Sequence, residues 1–301
     1  MIDKRLLKLN FKTSASAIAD LALPRVCVVC GQALMPGERH ICLECLADLP
    51  LTRFCGMSHN PMADLYNKKI EEKAAPIING GAGPSKPPCL VEHSFGGSER
   101  SEPGGVTGAE PPSKVRNGAA VTGAEPPSYQ FSAALFYYNS TSPYRKITQA
   151  LKYHRDFGAG RMFARMLGKE LKESGLYKDV DLVVPVPLHW TRKLRRGYNQ
   201  AETIAAEVAE ELGAKHLPKA LVRCRRTGSQ VSLSGKDRAG NMSGAFRVSR
   251  ASGLAGVRHL LLIDDVFTTG STLTACYEAL REVIPAKIRI STATLGFVQN
   301  G

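Results

Sequence analysis

The residues best suited to chemistry lie in the segment HLLLIDDVFTTGSTL, residues 259–273. An apolar run typical of a buried strand ends in two adjacent carboxylates, Asp264 and Asp265, and a turn rich in hydroxyl groups follows. Backbone N–H groups and hydroxyls at the start of a helix form an anion site of phosphate size. Carboxylates cannot bind phosphate, but they suit vicinal sugar hydroxyls or a Mg²⁺ ion. The turn consists of Thr268, Thr269, Gly270, Ser271 and Thr272.

A second segment, PVPLHWTRKLRRGYNQ at 185–200, follows another apolar run and is rich in cations. Such cations suit an anionic ligand, above all a leaving group whose negative charge grows as its bond breaks. The same residues also suit the start of a solvated basic helix, and arginine grips the phosphates of DNA or RNA as well. The candidates are Arg192, Lys193, Arg195, Arg196 and Gly197.

Four cysteines follow the spacing C-x2-C-x11-C-x2-C, at Cys27, Cys30, Cys42 and Cys45. Two such pairs suit tetrahedral Zn²⁺, and four thiolate ligands predict a structural rather than a catalytic metal. The alternative is a set of free buried thiols. His40 and Cys55 lie close enough in the chain to substitute for a ligand or to support one.

The remaining pattern indicates how these residues are positioned. After Tyr129, apolar runs typical of strands alternate with periodic segments typical of helices, which predicts an α/β fold with a doubly wound, mostly parallel sheet. Ligands of such sheets bind at the carboxyl ends of the strands, where both candidate segments fall. We therefore expect the helix NQAETIAAEVAEEL to end at Gly213 and the strand HLLLIDDVF to lie inside the sheet.

The chain divides into three parts by composition. Residues 1–75 hold an amphipathic N-terminal segment and the four cysteines, and residues 129–301 form the predicted α/β domain. Between them, residues 76–128 are rich in Gly, Pro and Ser and contain the sequence VTGAEPPS twice, at 106–113 and 121–128. This composition buries too little apolar surface to fold, so we expect disorder in this insert.

Charge and hydropathy limit the classes of function. The net charge is +13, and residues 145–250 hold 22 Lys and Arg against 10 Asp and Glu. Such an excess favours phosphorylated small molecules or nucleic acid as partners, although a solvated basic surface explains it equally well. No stretch has the apolar length of a membrane span or of a signal peptide. The sequence predicts a cytoplasmic protein.

The strand, acidic pair and T-T-G-x-T turn resemble the ribose-phosphate motif of type I phosphoribosyltransferases. With the PVPLHW segment, the segment TGSQVSLSGKDRAGNMSGAF at 227–246, the ALKYH segment and the two C-x2-C pairs, the chain resembles the ComF/GntX family. That family is in turn similar to the transferase domain of amidophosphoribosyltransferase.

The resemblance implies roles for the candidate residues in binding 5-phosphoribosyl-1-pyrophosphate (PRPP) with Mg²⁺. Asp264 and Asp265 would bind the ribose hydroxyls as the catalytic pair, and residues 268–272 would surround the 5-phosphate. Arg192, Arg195, Arg196 and Gly197 would face the pyrophosphate. A flexible lid would contain Gln230, Arg238 and Asn241. Lys152, in ALKYH, would reach the site only if its helix packs as in the family, so we rank it below these segments.

Two functions remain open at this point. One is a phosphoribosyltransferase that moves the phosphoribosyl group from PRPP, or a related sugar phosphate, to an acceptor that the sequence does not identify. The other is a binding module that retains the fold, senses the ligand and docks single-stranded DNA or a DNA-handling helicase partner. The resemblance links either one to DNA uptake and transformation.

Overall fold

The computed structural model of the protein describes residues 25–74, 129–154, 157–224, 244–249 and 252–298. The N-terminal amphipathic segment, the repeat-bearing insert and the three lid candidates Gln230, Arg238 and Asn241 lie outside these ranges. Among the helices within them, none is long and apolar enough to cross a membrane.

The centre of the fold is a five-stranded sheet in the order β1-β7-β6-β2-β3, and each pair of neighbours is parallel. The predicted mostly parallel α/β sheet is therefore confirmed. A separate antiparallel pair, β4-β5, flanks the undescribed residues 225–243. The strands are β1 (Ser132–Tyr138), β2 (Leu182–Pro185), β3 (Lys215–His216), β4 (Leu221–Arg223), β5 (Phe246–Val248), β6 (His259–Phe267) and β7 (Arg289–Val298).

Of the seven α-helices in the described residues, two precede β1 and five lie in the connections β1–β2, β2–β3 and β6–β7 of the parallel sheet. They are α1 (Leu43–Ala47), α2 (Pro61–Ala74), α3 (Arg145–Gln149), α4 (Phe157–Glu173), α5 (Trp190–Arg196), α6 (Gln200–Leu212) and α7 (Ser271–Arg281). A π-helical segment, Ala150–His154, continues α3 directly. Helix α6 ends at Gly213, which has a φ of 68°, so the predicted end of this helix is confirmed. Helix α4 packs against α6, and α2 packs against α7.

The central strand β6 is buried because its residues are apolar on both faces. Leu260, Leu261, Leu262 and Ile263 are each 0% exposed, as expected for an interior strand of a parallel sheet. At Ile263 this run ends, and the strand continues as Asp264, Asp265, Val266 and Phe267, three of which are only partly buried. The change from apolar to acidic residues therefore takes place within one strand.

The N-terminal segment is hydrogen-bonded to the edge of the sheet. Thr52 N–H donates to the Leu135 carbonyl at 3.0 Å, and Tyr137 N–H donates to the Pro50 carbonyl at 2.8 Å. Further along the segment, Asn60 Nδ2 donates to the Ser132 carbonyl at 2.9 Å. The outer edge of β1 is therefore paired with residues 50–52. The cysteine-bearing segment packs on the same core as the sheet.

Candidate ligand site and four-cysteine centre

The acidic pair lies where β6 extends beyond its neighbour. Pro185, the last residue of β2, pairs with Ile263, and β6 continues for four more residues. Asp264 and Asp265 therefore lie past the carboxyl end of β2, at the wall of a cavity of about 170 Å³. The cavity is lined by Lys152, Val186, Pro187, Leu188, Arg196, Asn199, Gln200, Ala201, Arg223, Asp264, Asp265 and Thr272.

The two carboxylates have different environments. Asp265 Oδ2 lies 2.7 Å from Lys152 Nζ, whereas Asp264 Oδ1 accepts the backbone N–H of Asp265 at 2.8 Å. Burial, assisted by the charge of Asp265, raises the pKa of Asp264 to about 8. Burial alone would lower the pKa of Lys152, but the charge of Asp265 and its hydrogen bond outweigh that effect and raise it. The cavity therefore contains a proton-bearing carboxyl beside a partly buried ion pair.

The hydroxyl-rich turn leads from β6 into α7, as the sequence predicts. Gly270 precedes the helix with a φ of 75°, and Thr269 Oγ1 lies 3.0 Å from Ser271 Oγ. A Cβ on Gly270 would lie 2.7 Å from Phe267 Cζ, so this position needs glycine for space as well as for its backbone angles. Thr272 lines the cavity of the acidic pair, whereas Thr268 is exposed.

The predicted pyrophosphate segment forms the short helix α5 rather than an open loop. His189 caps this helix by accepting the Thr191 N–H at 3.3 Å, and Gly197 ends it with a φ of 81°. The backbones of Arg192 and Arg195 lie in α5, and their side chains are outside the described part of the structure. Of the predicted cations, Arg196 lines the acidic cavity.

Lys193 and Gly197 line a different cavity, of about 430 Å³, together with Glu202, Glu207 and His216. This cavity is the larger of the two, but it lacks both the acidic pair and the hydroxyl-rich turn. We therefore assign the candidate ligand site to the smaller cavity, where carboxylates, cations and the N-terminal end of α7 meet.

Sequence reasoning missed two residues of the site and ranked a third too low. Gln200 and Arg223 line the cavity although neither was named as a candidate from the sequence, and Lys152 contacts Asp265 of the acidic pair directly. Asn199 holds the wall in place, because its Nδ2 donates to the Val186 carbonyl at 3.0 Å. Asn199 and Gln200 are the last two residues of the cation-rich segment 185–200, and this position was the available signal for Gln200.

The four predicted cysteines converge. The Sγ atoms of Cys27, Cys30, Cys42 and Cys45 all lie within 4.8 Å of one another, and those of Cys30 and Cys42 are 3.8 Å apart. Tetrahedral zinc–thiolate geometry requires a sulfur–sulfur separation of about 3.8 Å. The predicted four-cysteine cluster is therefore confirmed, and its donor set fits Zn²⁺.

Backbone N–H groups support the sulfurs of this cluster. The N–H groups of Val29 and Cys42 each lie 3.4 Å from Cys27 Sγ. Although burial opposes the effect, hydrogen bonds from the backbone N–H groups of Cys30, Cys42 and Val29 lower the pKa of Cys27 to about 6. Burial and the neighbouring sulfurs raise the pKa of Cys45 instead. Because four neighbouring thiolates repel one another, the arrangement requires a cation to hold all of them deprotonated.

The two residues considered as substitute ligands lie outside the sulfur cluster. His40 has a φ of 55°, and its ring packs against Gly158 at the start of α4. Cys55 is buried in the 3₁₀ turn Phe54–Gly56, where burial raises the pKa of its thiol to about 12. Cys55 is therefore a neutral core thiol rather than a ligand.

Comparison with protein families gives a match to the phosphoribosyl transferase domain over residues 197–296. The matched region contains the acidic pair and the hydroxyl-rich turn. The cysteine cluster, Lys152 and helix α5 lie before it.

Three relatives illustrate the similarity. Competence protein F of Haemophilus influenzae is 32% identical over 49% of this chain and 66% of its own length. DNA utilization protein YhgH of Salmonella typhimurium is 34% identical over 44% of this chain and 59% of its own length. Competence protein ComFC of Streptococcus pneumoniae is 31% identical over 50% of this chain and 61% of its own length. The chain thus spans less than two thirds of each relative.

Among solved structures, the allosteric regulatory enzyme of purine biosynthesis aligns with 44% of this chain and 25% of its own. The sequence identity is 18% and the TM-score is 0.29, a similarity too weak to support a conclusion.

Proposed function

We propose, from a domain match and relatives that support a ComF-type phosphoribosyltransferase-like family, that the protein binds PRPP with Mg²⁺ at the carboxyl end of β6. One observation carries the proposal: Asp264, Asp265 and Thr272 line a single cavity at the start of α7. Carboxylates suit ribose hydroxyls, and the hydroxyl-rich turn with the helix N-terminus suits the 5-phosphate. A sugar phosphate is the ligand that would contact both the carboxylates and the hydroxyl-rich turn.

The cationic residues that line the cavity have a role in the proposed transfer of the phosphoribosyl group. Lys152, Arg196 and Arg223 line its wall and suit the pyrophosphate of PRPP. As the C1–O bond breaks, its electron pair leaves with the pyrophosphate, and nearby cations stabilise that growing charge. An acceptor nucleophile then attacks C1 and releases its proton. The carboxylate of Asp265, and that of Asp264 once it has lost its proton, suit Mg²⁺, which when bound would neutralise part of the pyrophosphate charge.

For the cysteine cluster we propose one structural Zn²⁺ ion. A site with four protein thiolates leaves no open coordination position for a substrate, so the ion would support the fold. Four thiolates that serve as metal ligands also suit a reducing compartment, and we therefore propose that the protein acts in the cytoplasm, in a process related to competence or DNA use.

Calorimetric titration with PRPP in the presence of Mg²⁺ tests the ligand. We expect saturable heat with the wild-type protein and none with the double variant Asp264→Ala, Asp265→Ala. The double variant Glu71→Ala, Glu72→Ala, which removes two exposed carboxylates of α2, is the matched control and should bind normally. Absence of PRPP heat in the metal-loaded wild-type protein would overturn the proposal.

Transfer and sensing are separated by a second measurement. Pyrophosphate release is followed while amines, nucleobases and nucleic-acid ends are supplied as acceptors. Release that requires both an acceptor and the acidic pair identifies a transferase. PRPP binding without release across the acceptor series identifies a sensor.

A second candidate function, nucleic-acid binding, is favoured by a separate basic groove of about 420 Å³. The groove lies between the cysteine segment and α4, and its cationic wall residues are Arg39, Arg161, Arg165 and Lys169. Glu207 neutralises part of this charge, since its carboxylate lies 2.6 Å from Arg165 Nε and 3.4 Å from Arg161 Nε. Arg39 and Lys169 remain exposed beside it, and they suit the phosphates of a nucleic-acid strand.

Fluorescence anisotropy with a labelled single-stranded oligonucleotide tests this second candidate. We expect affinity that falls with salt and is weakened by the double variant Arg39→Ala, Lys169→Ala. The matched control, Lys68→Ala with Lys172→Ala, removes two exposed lysines outside the groove and should change affinity less. Equal losses in the two variants would indicate a general charge effect and remove the groove from consideration.

A further inference from the structure

A single helical element connects the cysteine cluster with the acidic pair. At its start, Lys146 Nζ donates to the Val29 carbonyl at 2.8 Å, and the Tyr144 hydroxyl donates to the Cys45 carbonyl at 3.3 Å. Val29 lies between the two cysteines of the first C-x2-C pair, and Cys45 belongs to the second. The element is therefore hydrogen-bonded to both halves of the cluster.

The other end of the same element reaches the ligand cavity. Helix α3 continues without interruption into the π-helical segment Ala150–His154, which contains Lys152. Lys152 lies six positions after Lys146, or roughly 9 Å along a helix at 1.5 Å per residue. Lys152 Nζ then lies 2.7 Å from Asp265 Oδ2. Only a short, continuous stretch of helix thus separates a carbonyl of the cluster from the acidic pair.

Two glycines at the start of α4 allow this helix to pack closely against the cysteine segment and the π-helical segment. A Cβ on Gly158 would overlap the His40 ring, and a Cβ on Gly160 would overlap the Leu151 side chain. His40 belongs to the cysteine segment, and Leu151 directly precedes Lys152. The same turn of α4 therefore supports the cluster and the π-helical segment, which favours a fixed relation between them.

We propose that the metal-loaded cysteine cluster positions Lys152 against Asp265 and thereby sets the affinity of the cavity for its ligand. This inference rests on the proposed function for its ligand, PRPP. Lys146 and Tyr144 are positioning residues that act through the helical element. Residues 25–47 contain only one short helix and one isolated bridge, so a bound metal ion would supply much of what fixes the Val29 and Cys45 carbonyls. Without these acceptors, the start of α3 loses its attachment and Lys152 loses its fixed position.

A double-mutant cycle in the metal-loaded full chain tests the coupling. We expect Lys146→Met to weaken PRPP binding about tenfold, the loss expected for a hydrogen bond from a charged group. Lys152→Met should weaken it at least as much, and the double variant should bind no more weakly than Lys152→Met alone. Lys146→Arg, which can still donate to the Val29 carbonyl, should retain most of the affinity. Additive losses would overturn the proposal.

Removal of the metal gives the second test. Chelated protein whose circular dichroism shows a retained fold should bind PRPP about tenfold more weakly, and Zn²⁺ should restore the affinity. In the Lys152→Met background, chelation should have little further effect. A folded, metal-free protein that binds PRPP as tightly as the loaded one would overturn the proposal.

A measurement without PRPP distinguishes failure of this inference from failure of the proposed function. Pulsed amine labelling followed by mass spectrometry reports the accessibility of Lys152 relative to the exposed Lys172. We expect Lys152 to be protected in the metal-loaded wild type and labelled faster after chelation or in Lys146→Met. If Lys152 is protected equally well after chelation and in Lys146→Met, the inference is overturned whatever the result of the PRPP titration.

Discussion

Asp264 Oδ1 accepts a hydrogen bond from the backbone N–H of Asp265 at 2.8 Å, while Asp265 Oδ2 pairs with Lys152 Nζ at 2.7 Å. Two adjacent carboxylates therefore avoid direct competition for one partner. Burial raises the pKa of Asp264 to about 8, so this carboxyl holds a proton at neutral pH. The repulsion that the sequence indicates is relieved within the chain itself, by that proton and by Lys152, before any ligand binds.

The raised pKa of Asp264 predicts how stability depends on pH. Between the ordinary carboxyl pKa of 3.8 and about 8, the folded state holds a proton that the unfolded state has lost. In Mg²⁺-free buffer, the free energy of unfolding should therefore decrease as the pH rises through this window. Asp264→Asn removes the titrating group and should remove most of this decrease across the window.

Urea denaturation at a series of pH values measures this dependence. The matched control is Glu71→Gln, an exposed carboxyl of α2, which should retain the wild-type slope. If Asp264→Asn and the wild type show the same slope, the proton is not located on Asp264.

Gly270 provides a test of the hydroxyl-rich turn. Its φ is 75°, and a Cβ would lie 2.7 Å from the Phe267 ring. Gly270→Ala should therefore shift the turn and weaken the binding of both PRPP and ribose 5-phosphate by about tenfold or more. Gly256 is the matched control, because it has the same φ of 75° and a Cβ added there would have no atom within 4 Å. Gly256→Ala should cost similar backbone strain and leave the affinity unchanged, as measured by calorimetry.

The sequence predicted the parallel sheet, the end of α6 and the four-cysteine cluster because each depends on local pattern. Strands of a parallel sheet are continuous apolar runs, Gly213 favours a left-handed helix end, and the Cys spacing sets a metal site. These signals need no knowledge of distant parts of the chain.

Other parts of the site depend on long-range packing. The contact between Lys152 and Asp265 joins residues 113 positions apart, and it depends on how the π-helical segment packs on α4, where Gly160 lies against Leu151. The side chain of Gln200 faces the cavity because α6 starts beside it. The antiparallel pairing of residues 50–52 with β1 has no sequence signature either, because a three-residue extended segment is too short for a periodic pattern.

Substitutions of Cys45 and of Cys55 together test the metal site. Cys45 belongs to the sulfur cluster, whereas Cys55 is buried ten residues later in the core. We expect one zinc per chain in the wild type and in Cys55→Ala, measured by elemental mass spectrometry after desalting against a weak chelator. Cys45→Ala should lose its zinc under the same conditions and unfold at a lower temperature. Zinc retention in Cys45→Ala would show that three sulfurs suffice.

Substitution of Gln200 should have opposite effects on the stability of the fold and on the binding of PRPP. Its side chain is 3% exposed and lines the cavity, and Nε2 has no hydrogen-bond partner among the residues that the structure describes. A buried amide donor without a partner costs free energy in the ligand-free protein, and a ligand oxygen would recover it. Gln200→Met should therefore leave the free energy of unfolding unchanged or raise it, while weakening PRPP binding about tenfold. Urea denaturation and calorimetry measure the two effects, and Gln149→Met, on the exposed face of α3, should change neither. Parallel losses of stability and affinity in Gln200→Met would instead assign this side chain to the support of the cavity wall.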